Sequence, residues 1–132
     1  MADGKPSYVP RGPIGIYKAL VWSLQGLRHA FTVESSFRLQ AYAFVVLAPL
    51  AFVLGRGAIE KLVMFGSLLL VLAAELLNSA IEALADRISP GHDAAIGHAK
   101  DMGSAAVFLL MINVLVCWAL ILAPRFASQG GG

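Results

Sequence analysis

The sequence is poor in charge and nearly devoid of cysteine. Of its 132 residues only 14% are Asp, Glu, Lys or Arg while 58% are apolar, against about 25% charged and ~45–50% apolar in an ordinary soluble domain. Ten Lys/Arg and eight Asp/Glu cannot cover the core of one water-soluble domain with polar side chains, so that class is excluded. A formal charge of +2 is too small to argue for nucleic acid, and the basic residues are scattered rather than clustered with aromatics. The single cysteine, Cys117, excludes an internal disulfide framework and a zinc site built on cysteines. Among apolar neighbours it reads as a small buried hydrophobe. There is no G-x-x-x-x-G-K-[ST] loop and no protein-kinase signature, which excludes the familiar soluble nucleotide sites. The first 38 residues hold no continuous apolar core, so nothing there reads as a signal peptide.

What the chain has instead is long apolar runs: Leu39 to Leu54, Leu62 to Ile81, and Met102 to Ala123, the last interrupted only by Ser104 and Asn113. A helix needs about 20 mostly apolar residues to cross the hydrocarbon core. The three runs therefore predict an all-α integral membrane protein with spans over 37–56, 60–84 and 101–123. Pro49 falls inside the first span, where a membrane helix tolerates it. Ahead of the spans, Leu20, Val21, Leu24, Leu27 and Phe31 recur at intervals of three and four. Together with Trp22 and basic neighbours they predict an amphipathic helix over 14–34 lying at the membrane surface or packed on the bundle. Residues 1–13 and the tail 124–132 are expected outside the folded part, 1–13 being disordered, and 85–100 is expected to be a loop. The whole reads as one membrane domain.

Lys and Arg placement sets the orientation. With the N-terminus in the cytoplasm, Lys5, Arg11, Lys18, Arg28, Arg38, Arg87 and Lys100 lie inside, leaving Arg56, Lys61 and Arg125 outside. That topology puts the 85–100 loop in the compartment that holds ATP.

Against this background one carboxylate stands out. Glu75 lies within the second apolar run, where an ionised group costs at least ~2.5–3.5 kcal/mol and normally faces an interior or a polar cavity. At about 100° per residue, Asn78, Ser79, Glu82 and Asp86 all fall within about 60° of it, forming one stripe from membrane depth to the surface. Taken singly, Asn78 or Ser79 could simply bond a neighbouring helix. Two carboxylates on one face divide the work better: the deeper, desolvated Glu75 suits a general base acting on a buried hydroxyl, and the shallower Glu82 suits Mg²⁺. After the stripe, Ser89, Pro90 and Gly91 signal a turn, and Lys100 and Asp101 follow just before the third run. Glycines beside a lysine suit phosphate, though weakly taken alone. His92 and His98 read as solvated loop residues, and Gly103 to Ala106 as packing that lets helix backbones approach.

The segments AELLNSAIEALADR and HAKDMGSAAV, with GLRHAFTVESSFR ahead of the first span, resemble the prokaryotic diacylglycerol kinases, small integral membrane enzymes. The resemblance covers roughly residues 16–122 and rests on E-x-x-N-[ST]-A-I-E followed by A-K-D. It implies three spans and an N-terminal surface helix in a homotrimer, with active sites between protomers. The reaction it implies is Mg²⁺-dependent transfer of the γ-phosphate of ATP to diacylglycerol in the bacterial inner membrane. Carried over position by position, Glu75 matches the catalytic base and Asn78 supports the catalytic face. Glu34 and Glu82 match metal-binding carboxylates that also contact the nucleotide. Lys100 and Asp101 match nucleotide contacts, as do Gly91, His92 and Asp93 in the turn and Trp22 on the surface helix. Arg28, Phe37, Lys61, Ser104 and Trp118, with Glu75, fall at lipid-contacting positions. The pairing of Glu34 with Glu82 comes from the resemblance alone.

The sequence departs from the family pattern at Gly15, where an arginine is frequent, at Trp22 for a tyrosine, and at Gln40 for a glutamate. N-S-A-I-E and A-K-D-M-G-S resemble the diacylglycerol branch more than the undecaprenol kinases of the same family. Two other classes compete: a small proton-coupled transporter cycling protons on Glu75, and a structural membrane subunit. Neither gives work to Glu34, Lys100 or Asp101.

Overall fold

A computed structural model describes residues 12–91 and 93–129. It is all-helical: α1 (Pro13–Val33), α2 (Ser35–Leu54), α3 (Gly57–Ile88) and α4 (Ala94–Gln129). The last three are each long and apolar enough to cross a membrane. α3 is the central element, packed most extensively on α4 and then on α2, while α1 rests on α2 and more lightly on α3. Its buried side is apolar at one end, with Met64, Leu68 and Val71, and polar further along, with Glu75, Asn78 and Ser79.

Local chemistry sets each junction. Pro13 opens α1, where its missing N–H costs no helical bond. A single extended residue, Glu34, separates α1 from α2. Its N–H donates to Ala30 O at 2.8 Å and its carbonyl accepts from Arg38 N at 3.1 Å. Arg38 then turns back to donate to the carbonyls of Phe31 (3.2 Å) and Thr32 (2.9 Å), satisfying the open end of α1 with a cation where the helix dipole favours one. Phe31 and Tyr42 pack edge to face across the corner, 5.7 Å between centroids.

At the α2–α3 turn, the Glu60 carboxylate accepts from Arg56 N at 2.6 Å, an acid in the first turn of α3. Arg125 of α4 reaches the same carboxylate and also the carbonyl of Leu54, tying α2, α3 and α4 together at that end. At the opposite end Asp93 Oδ1 accepts from Ala95 N (2.9 Å) and Ile96 N (3.2 Å), an N-cap for α4.

The helices outrun the apolar runs that predicted them. The expected spans 60–84 and 101–123 are parts of helices 57–88 and 94–129, the expected 37–56 starts within α2 but runs two residues past its end at Leu54 into the turn, and only Ser89–Asp93 separate α3 from α4. The expectation of a loop over 85–100 is corrected accordingly. Backbone bonding does not stop where the side chains turn polar, and Asp93 caps α4 two turns before its apolar section begins. α4 also continues through Pro124 to Gln129, so most of the expected tail is helical. Residues 1–11 and 130–132 lie outside the described residues, and with them most of the segment 1–13 expected to be disordered.

Candidate active site

Helical geometry puts Glu75, Asn78 and Glu82 on one face of α3, and packing against α2 and α4 leaves an open cavity of about 390 Å³ over them. Ser36 and Gln40 enter it from α2 and Ser104 from α4. Glu75 is 6% exposed and its carboxylate makes no hydrogen bond or ion pair among the described residues, so it faces the cavity unengaged. Asn78 Nδ2 donates to Glu82 Oε1 at 3.1 Å, fixing the second carboxylate one turn nearer the α3–α4 junction. Asn78 Oδ1 is buried without a partner among the described residues.

A second cleft of about 490 Å³ opens at that junction and gathers Gly91, Asp93, Lys100 and Asp101. His92 lies outside the described residues. Lys100 Nζ donates to Asp86 Oδ1 at 2.9 Å across the two helices. Asp86 belongs to the α3 stripe, but its partner sits fourteen residues away on another helix, which spacing within one helix does not reveal.

Glu34 is placed differently. It lines a third cavity, about 480 Å³ between α1 and α3, with His29, Ser79 and Ala83, while Glu82 faces the cavity toward α2 and α4. One chain therefore does not bring Glu34 and Glu82 into one cavity. Among the described residues no group of three His, Cys, Asp or Glu side chains could by itself hold a metal ion. The donor set still fits Mg²⁺, a hard cation that takes one or two carboxylates and completes its shell with water and phosphate oxygens. Glu82, beside the open cavity, supplies such a carboxylate.

The other sequence-selected residues scatter. Ser104 joins Glu75 in its cavity. Phe37 is 3% exposed and belongs to the core. Arg28 is exposed and Trp22 half-buried on α1, both outside these three cavities. Lys61 and Trp118 lie toward the far end of α3. Trp118 Nε1 donates to Met64 O at 3.3 Å, and Lys61 is roughly 21 Å along the axis from Glu75 at ~1.5 Å per residue. Sequence reasoning missed Ser36, and it gave Gln40 no place in the site. Each comes from a helix other than α3, and spacing within one helix carries no signal for such meetings.

The family model described as prokaryotic diacylglycerol kinase matches residues 21–122. A diacylglycerol kinase of Haemophilus influenzae is 43% identical over 115 residues, covering 87% of this chain and 98% of that one. One of Escherichia coli is 40% identical over 111 residues (84% and 91%), and one of Pseudomonas aeruginosa is 45% identical over 107 (81% and 87%).

Proposed function

The chain belongs to the prokaryotic diacylglycerol kinase family, and from that membership we propose that it moves the γ-phosphate of ATP onto the free hydroxyl of diacylglycerol, with Glu75 as general base. The observation that carries the reading is the unengaged, buried Glu75 carboxylate facing a cavity beside the hydrogen-bonded Asn78–Glu82 pair. In the reaction the hydroxyl proton passes to Glu75 as the lipid oxygen bonds to the γ-phosphorus. The bond from that phosphorus to the bridging oxygen breaks, and ADP leaves with the electron pair. Phosphoryl transfer asks the protein mainly for positioning and charge neutralisation. Lys100 provides a cation toward the phosphates, with Gly91, Asp93 and Asp101 around the same cleft. Glu82 and Glu34 are the residues that would hold Mg²⁺, which when bound would supply charge neutralisation on the phosphates. Asn78 holds Glu82 in place through its amide.

Because Glu34 and Glu82 line different flanks of α3, the reading includes a site shared between copies in a homotrimer, Glu34 coming from a neighbour. α1 lies along the membrane surface, its outward side carrying Ile16, Tyr17, Leu20 and Leu24. The N-terminus and the α3–α4 turn face the cytoplasm. Arg56, Lys61 and Arg125 gather at the opposite end.

A lipid panel tests the function. Purified protein with labelled ATP and Mg²⁺ should phosphorylate diacylglycerol in preference to undecaprenol. Labelling of undecaprenol alone, or of no lipid, would contradict the proposal.

A further inference from the structure

We propose that Gly103 is a positioning residue for the Asn78–Glu82 pair: the space left by its absent side chain seats the Asn78 amide so that its nitrogen holds Glu82. This rests on the reading of that pair as part of the catalytic face. A Cβ on Gly103 would stand 2.5 Å from Asn78 Oδ1 and 3.5 Å from Asn78 Cγ, the next nearest atom being Ile81 Cδ1 at 3.4 Å. At Gly26, Gly66 and Gly97, also inside helices, an added Cβ meets nothing within 4 Å. A glycine within a helix weakens it relative to alanine, so this one calls for a local reason. The orphaned amide oxygen supplies it.

Asn78 is 8% exposed, and its Oδ1 is buried with no hydrogen-bond donor among the described residues. The direction of the missing Cβ is occupied in glycine by a hydrogen, so that oxygen meets a Cα–H of α4, a contact found at close helix crossings. Oδ1 and Nδ2 belong to one rigid amide plane. Opening the 2.5 Å approach to an ordinary 3.4 Å moves the whole group, and Nδ2 leaves the 3.1 Å bond to Glu82. Gly103 thus acts on the site through Asn78 without touching substrate.

The test compares wild type, Gly103→Ala, Asn78→Ser and the double variant, all full-length and reconstituted in lipid, by kcat, KM for ATP and thermal midpoint. Gly103→Ala should lower kcat by roughly tenfold or more, the scale on which supporting partners act. With serine at 78 the clash is gone, and adding Gly103→Ala should cost no more than about twofold further in kcat. A wild-type kcat for Gly103→Ala, or the same fold-loss in both backgrounds as plain helix packing would give, overturns the proposal alone. Wild-type turnover by Asn78→Ser overturns the underlying reading of Asn78 as well. If Gly103→Ala does not fold, a folded double variant supports the proposal and an unfolded one overturns it.

Discussion

Glu75 and Glu60 sit on the same helix in contrasting settings. The Glu60 carboxylate is held by Arg56 N and by Arg125. Glu75 is more deeply buried, yet it has no partner among the described residues. A carboxylate left without a partner in a mostly buried residue opposes folding even where it faces a cavity, so replacing it with an apolar residue should relieve the protein. Glu75→Leu is expected to raise the thermal midpoint by the equivalent of roughly 1 kcal/mol while abolishing turnover, read by thermal unfolding beside a kinase assay. At Glu82 the expected change is in metal dependence: Glu82→Ala should require about tenfold more Mg²⁺, or greater, for half-maximal rate. An unchanged Mg²⁺ titration would remove Glu82 from the metal site. The shared face of Glu75, Asn78 and Glu82 is legible in the sequence because a helix repeats its geometry. The Gly103–Asn78 approach and the Lys100–Asp86 pair are not, since each joins α3 to α4 and needs the packing to be known.

At the scale of elements, the same helices carry a polar tie at each end. Arg125 joins α2, α3 and α4 through Leu54 O and Glu60, with only 18% of its side chain exposed. Lys100 and Asp86 form the other tie with side chains 38% and 71% exposed, where water and salt screen the attraction. Arg125→Ala should therefore lower the thermal midpoint measurably while leaving kcat near wild type, because Glu60 and Glu75 are about 22 Å apart along α3. Asp86→Asn should leave the midpoint unchanged within error. Both are read by thermal unfolding of the reconstituted protein. Helix number and order follow from the apolar runs and the 3–4 spacing of Leu20, Leu24, Leu27 and Phe31. The helix ends do not. Asp93 as a cap and Pro124 inside α4 are settled by backbone bonding, to which hydropathy is blind.

For the whole molecule the unburied surface is the informative quantity. Only 6% of the most apolar stretch of α4 is buried within the chain, against 39% for α3. Apolar area on that scale requires lipid or further copies of the protein to cover it. Composition already points to the membrane, whereas the proposed sharing of a site between copies rests on Glu34 and Glu82 lining different cavities, which the sequence does not reveal. If Glu34 serves a neighbour's site, Glu34→Ala and Glu75→Gln proteins, each inactive alone, should regain activity on mixing. Random assembly would make about a quarter of the sites complete, which the recovered rate would report. The proposed role of Glu75 as the base that activates a lipid hydroxyl is tested directly by one measurement. That measurement is the initial rate of label transfer from ATP to diacylglycerol by wild-type and Glu75→Gln proteins in bilayers, with nucleotide binding measured alongside. The expected result is a loss of about 10²–10⁴-fold in Glu75→Gln with nucleotide binding retained; transfer by Glu75→Gln at the wild-type rate would contradict it.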